Sequence, residues 1–293
     1  MRAVTVASMD TTCRRLALVA VATACAAAGC ATDPRFGELP PGAISTSQTT
    51  GVVAEICRDH LFDPARAARG LPAGYRFVLA AEATLADPAL QALLQSQPQW
   101  RHHAVGALCF LSVRHFSVDG QAVEGNGPMP AAFWWAKAVG PRHADMRGEA
   151  AWVQLGSWYP TGLQHRSAVL RADPMAEFVE VEVEPAGANQ WRLRLVLPTE
   201  TVAAHVAASG PRVPSRRPQP GHMSVAMSGQ AAAYFSVYTY FGHHHQAAQG
   251  TWRASGTGVF SEAFGTRVES PALGTVLQDG WSSRAGLYRA AGP

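Results

Sequence analysis

The chain has 293 residues, of which 15% are charged and 47% hydrophobic, with 27 glycines and 20 prolines. This mix excludes a disordered polyelectrolyte and a long coiled coil, and the length suffices to bury a core without metal or disulfide staples. Its 24 basic and 21 acidic residues leave a net charge of +3 with no long Lys/Arg run, which argues against nucleic acid as a partner.

The first element is an export signal. Arg14 and Arg15 precede residues 16–28, thirteen apolar or small residues, which is signal-peptide length and too short for a permanent membrane-spanning helix. Met1 and Met9 both offer a start, and both Sec export and twin-arginine export remain open, although Cys13 departs from the twin-arginine motif. The run ends in Ala27-Ala28-Gly29-Cys30, which resembles the lipobox of bacterial lipoproteins, with Ala27 in place of that family's preferred leucine. The resemblance implies that 1–29 is a signal peptide, that Cys30 is acylated by chains such as palmitate, and that these chains make the membrane a partner. Ala31 and Thr32 follow the cysteine where an aspartate favours inner-membrane retention, so the implied location is the outer membrane, facing the periplasm.

Residues 30–51 are rich in Pro, Gly, Ser and Thr without apolar periodicity, and read as a lipidated flexible tether. The folded part, a single β-rich domain, is expected over 52–293. Within it Cys57 and Cys109 remain as a pair of thiols once Cys30 is acylated. They join if their Cα atoms approach within about 7 Å in an oxidising compartment, and otherwise stay as two separate buried thiols.

Asp63-Pro64 and Asp87-Pro88 each place an N-cap before a proline at the first helical position, with Gly70 closing the former and Leu90, Leu93 and Leu94 sharing one face of the latter. Strands are predicted over 75–83, 104–116, 131–139, 151–159, 222–228, 232–241 and 249–260, separated by turns such as Asp119-Gly120. Gly74-Tyr75-Arg76-Phe77, then Asp87-Pro88-Ala89-Leu90-Gln91-Ala92-Leu93-Leu94 and an aliphatic strand, over 74–116, resemble the opening of acetoacetate-decarboxylase-like domains. That implies a cone-shaped barrel with a hydrophobic cavity. The family's Schiff-base lysine motif is missing, which puts decarboxylation in doubt.

Lys137, the only lysine, stands in the aromatic stretch Phe133-Trp134-Trp135-Ala136-Lys137. If buried, its neutral amine is a nucleophile for carbonyl chemistry; at a strand end it merely snorkels. Phe178 to Glu184 and Trp191 to Leu197 alternate strictly and form a hairpin with glutamates facing arginines on a wet, structural face. An alanine-rich helix is expected over 199–209, a Pro-rich surface loop near 211–221, and a further helix from Ser270-Pro271.

His243, His244 and His245 follow the aromatic run from Tyr234 to Phe241. On a continuing strand His243 and His245 share a face, so that with Glu262, or with His222, His102 or His103, they form a candidate site for a divalent metal such as zinc; the alternative is a polar loop. Trp134, Trp135, Tyr238 and Tyr240, with His243 and His245, are candidate lining residues for an apolar ligand.

The fold class is therefore α+β, predominantly antiparallel β, a barrel-like or cone-shaped sheet with a few short helices. The leading functional reading is a tethered envelope lipoprotein whose aromatic-lined cavity binds a small apolar or amphipathic molecule without a cofactor. The alternatives are an enzyme acting on a carbonyl or ester substrate through Lys137 or a His243/His245 site, and an envelope scaffold with no small-molecule site.

Overall fold

Alternating apolar and polar residues become strands here because each strand buries one face in a closed sheet. The computed structural model describes residues 41–67, 71, 74–83, 88–123, 127–140, 151–164, 170, 176–214, 219–225, 234–242, 244–265 and 273–289. The strands are β1 (Ser45–Phe62), β2 (Arg76–Phe77), β3 (Ala104–Val118), β4 (Gln121–Ala122), β5 (Met129–Val139), β6 (Ala151–Pro160), β7 (Ala176–Gly187) and β8 (Gln190–Val196). They continue with β9 (Glu200–Ala208), β10 (Val213–Pro214), β11 (Gln219–Val225), β12 (Tyr234–Phe241), β13 (His244–Gly256), β14 (Thr275–Asp279) and β15 (Ser282–Arg289). Short helices are α1 (Pro64–Ala67), α2 (Ala80–Ala83), α3 (Pro88–Ser96), α4 (Thr161–Gln164) and α5 (Val259–Phe264).

Nine strands close a barrel in the order β1, β3, β5, β6, β7, β8, β9, β13, β14 and back to β1. Only the β6–β7 pairing in this ring is parallel. The same pairings close a second ring of seven strands, β1, β3, β5, β6, β11, β12 and β15. Strand β1 is long because it serves both rings: Glu55 to Arg58 pair with β14, Ser45 to Thr49 pair with β15, and the register shifts between Val52 and Ala54 where it passes from one to the other.

From Ala54 to Phe62 on β1 and from Ala104 to Phe110 on β3, even-numbered residues face the interior of the nine-strand barrel and odd-numbered ones the opposite side of the sheet. Ile56, Leu108, Phe110, Leu195 and Val202 are fully enclosed there, each contributing about 1.5–3 kcal/mol of burial. The mouth is plugged by α5, whose Phe260 and Phe264 rings stand 6.2 Å apart in parallel planes. Two glycines make room for large rings: a Cβ at Gly106 would touch the His60 imidazole, and one at Gly156 would collide with the Trp158 indole.

Several expectations are corrected. Residues 45–51 of the expected tether are strand, continuous with the part expected to fold from Val52. Of the strand expected over 75–83, Arg76–Phe77 is a strand, Leu79 makes a single bridge to Ala104, and Ala80–Ala83 is helical. The alanine-rich segment expected as a helix is β9, because pairing with β8 and β13 on both sides overrides helix propensity. The strand expected over 249–260 ends at Gly256, and Val259 and Phe260 belong to α5. Strands β10 and β11 begin inside the Pro-rich stretch. The helix expected from Ser270-Pro271 lies outside the described residues.

The remaining elements follow the sequence. Asp119 and Gly120 have φ of 49° and 76°, the left-handed pair of a tight hairpin turn. In the β7–β8 hairpin Arg192 pairs with Glu184 at 3.3 Å and Arg194 with Glu180.

Candidate functional site

The stretch Glu55-Ile56-Cys57-Arg58-Asp59-His60 puts polar residues on both faces of β1. Arg58 and His60 point into the nine-strand barrel. The Arg58 Nη1 donates to Thr275 Oγ1 at 3.2 Å, from the residue directly opposite on β14, while its Nε has no partner among the described residues. Burial pulls the guanidinium below its ordinary value, opposed by the charge of Asp59.

His60 is 0% exposed. Its imidazole is ringed by Phe62, Trp134, Phe260 and Phe264, with centroids 5.3–6.4 Å away. Burial, with the Arg58 charge adding to it, brings its pKa down to about 4 against a hydrogen bond to the Arg58 carbonyl, so the ring is neutral at physiological pH. With Nδ1–H donating to that carbonyl at 3.4 Å, Nε2 is left as an acceptor without a partner among the described residues.

Two indoles complete the interior. Trp134 lies opposite Leu108 and Gly156, and Trp252 packs against Phe110 and Phe264 at 6.1 and 5.7 Å. Their Nε1–H groups are buried without partners among the described residues. Trp158 differs, since its Nε1–H donates to Glu177 at 3.2 Å. Among the described residues the interior therefore presents three unpaired donors, on Arg58, Trp134 and Trp252, and one unpaired acceptor on His60. Buried polar groups are ordinarily paired, so this set calls for an acceptor-rich occupant.

The plug is held by polar contacts at its rim. Glu200 accepts hydrogen bonds from the Ser261 backbone N–H at 2.7 Å and from its hydroxyl at 3.2 Å, and burial raises its pKa. Arg66 of α1 pairs with Glu262 of α5. A separate open depression of about 770 Å³ lies at the β3–β4 hairpin, beside Thr50, Arg114 and Phe116, and does not reach these groups.

The residues singled out in the sequence are dispersed. Trp134 faces the barrel interior, whereas Trp135 and Lys137 lie on the opposite face of β5. The Lys137 ammonium sits 5.5 Å from the Trp152 ring centroid. The enclosed amine considered for carbonyl chemistry is not what the structure presents: Lys137, the chain's one lysine, is half-buried on the face of β5 away from the nine-strand interior. Tyr238 and Tyr240 lie opposite Ala285 and Ser283 of β15, in the other ring. His243 lies outside the described residues. His245 is exposed near the start of β13, opposite Gln278 and Val213, while Glu262 lies beyond that strand's far end in its ion pair with Arg66. His245 and Glu262 therefore do not form one metal site. His102 and His103 close the 3-10 turn Pro98–His102, where Trp100 packs on His103 at 4.5 Å. Cys57 and Cys109, directly opposite on β1 and β3, are joined by a disulfide with Cα atoms 4.0 Å apart.

No family model matches this sequence, and no curated protein matches it. Among solved structures, the chain is similar to acetoacetate decarboxylase from Legionella pneumophila, at a TM-score of 0.48 and 8% identity over 89% of this chain and 94% of that one. It is similar to the enduracididine biosynthesis enzyme MppR complexed with pyruvate, at 0.45 and 12% identity over 86% and 90%. It is also similar to an acetoacetate decarboxylase-like enzyme from Sphingomonas wittichii RW1, at 0.45 and 11% identity over 88% and 99%. Two of these three bear the name of the family that residues 74–116 resemble. At TM-scores below 0.5 they transfer no chemistry to this chain.

Proposed function

We propose that the nine-strand barrel binds a small amphipathic carboxylate, and that the protein does so at the outer membrane, tethered through acylated Cys30 and facing the periplasm. The carboxylate head lies against Arg58 and the Trp134 and Trp252 N–H groups, and a hydroxyl or N–H on the ligand donates to His60 Nε2. The apolar body lies among Phe110, Phe260 and Phe264. No cofactor is required for binding.

The observation that supports this reading is the half-buried Arg58 guanidinium, whose Nε has no hydrogen-bond partner among the described residues and whose Nη1 donates to a neutral hydroxyl, that of Thr275. An anionic ligand supplies that nitrogen with a charge-assisted partner. An imine-forming enzyme is the weaker reading, because Lys137 lies on the other face of β5.

The test is a titration of short-chain aliphatic, hydroxy and oxo carboxylates, followed by tryptophan emission and calorimetry. Binding is expected for acids and not for amides of the same shape. Arg58→Met should weaken it by about tenfold to a hundredfold, the equivalent of a charge-assisted hydrogen bond. Equal affinity for acid and amide, or an unaffected Arg58→Met, overturns the proposal.

A further inference from the structure

The opposite face of β1 carries a second group of reactive atoms, independent of the carboxylate site. Glu55 and Cys57 lie on this face, next to Cys109 and Leu111 of β3. The Glu55 Oε1 is 3.8 Å from Cys57 Sγ, and the carboxylate and both sulfurs lie within 4.8 Å of one another. A disulfide sulfur carries no proton, so this approach is only a contact while the cysteines are joined. Reduction turns it into a thiol beside a carboxylate. Cys109 is 4% exposed and Cys57 is half-buried, so an incoming thiolate meets Cys57 first.

We infer that Cys57–Cys109 is an exchange-competent disulfide, with Glu55 passing protons to and from its sulfurs. The electron donor is a dithiol. Its first thiolate attacks Cys57 Sγ, the Cys57–Cys109 bond breaks, and Cys109 leaves as a thiolate that takes the proton of the Glu55 carboxylic acid. The donor's second thiol returns a proton to Glu55 and, as a thiolate, attacks the donor sulfur of the mixed disulfide. Cys57 leaves as a thiolate and takes from solvent the proton that the donor's first thiol had released there. The donor ends as a disulfide and the protein as two thiols, with no net change in protons.

The proton inventory suits this role. Burial raises the Glu55 pKa to about 7, against a hydrogen bond from Trp281 that lowers it, so the acid and base forms are both populated near neutrality. On the same face, its neighbours are Cys57 on its own strand, Leu111 and Cys109 on β3, Gln278 on β14 and His245 beyond it on β13, with Trp281 as the hydrogen-bond donor. None of these is a carboxylate or a guanidinium.

The test incubates the oxidised protein with dithiothreitol without denaturant, traps thiols by alkylation, and identifies the Cys57 and Cys109 peptides by mass spectrometry while circular dichroism follows the fold. Both thiols should appear with the fold intact. Glu55→Gln should slow their appearance by about tenfold or more. The native rate per unit of donor thiolate should fall as pH passes through about 7, a step absent from Glu55→Gln. Trp281→Phe, which removes the N–H from the carboxylate, should move that step to higher pH. Thiols that appear only when the fold is lost, a rate indifferent to Glu55→Gln, or a step unmoved by Trp281→Phe each overturn the inference.

Discussion

His60 and Glu55 are five residues apart on β1, face opposite sides of the sheet and pull stability in opposite directions. The His60 pKa is about 4 in the fold against 6.5 in the open chain. The unfolded state binds more protons between those values, so this group makes stability rise with pH from about 4 to 6.5. For Glu55 the fold holds the proton up to about pH 7 against 4.5 when open, so this group makes stability fall with pH between 4.5 and 7. Each full effect is on the order of 3 kcal/mol, and where the windows overlap they offset each other. A nearly flat melting temperature from pH 5 to about 6.5 is therefore expected in the native protein. His60→Gln should leave a melting temperature that falls from pH 5 to 7, and Glu55→Gln one that rises from pH 4 to 6.5, both read by calorimetry. If both variants keep the native profile, the two groups do not titrate as described. This residue-scale behaviour was only half legible in the sequence. Polar residues on both faces of an apolar strand are a visible anomaly, but which face leads to the barrel interior depends on partners distant in the chain.

At the scale of elements, α5 decides access. It is six residues long, too short to be stable alone, and is held by Phe260 and Phe264 in the aromatic interior and by Glu200 and Arg66 at the rim. Phe260→Ala should cost about 3–5 kcal/mol through the cavity it leaves. Glu200→Gln weakens the rim contact without touching the interior, and should speed ligand entry in stopped-flow fluorescence while changing equilibrium affinity much less. Entry rates unchanged by Glu200→Gln would show that ligand does not pass α5. The plug was missed in the sequence because Gln249 to Phe260 continues an alternating pattern, and the helix is recognisable only after Gly256 and Gly258 are seen to end the strand. The β9 segment is the converse case. Val202, Ala204 and Val206 are buried while Ala203 and His205 are exposed, a period of two that was present in the sequence but masked by alanine's helix preference.

At the scale of the whole molecule, the proposed anchor sets where any ligand is met. Cys30→Ala should move the protein from the membrane fraction to the soluble fraction. A variant that stays membrane-bound with unchanged mature mass overturns the lipid anchor.

The sequence by itself determined the fold class, the β7–β8 hairpin and its ion pairs, the Asp119-Gly120 turn, and most strand positions. These depend on local periodicity and turn chemistry, which act over a few residues. Only the tertiary structure decided that Trp134 faces inward and Lys137 outward, that Cys57 meets Cys109, and that Arg58, His60, Trp134 and Trp252 share one interior. A one-residue change in strand register reverses which face a side chain occupies. That register is set by pairing between strands as far apart in the chain as β1 and β14, which no local pattern encodes.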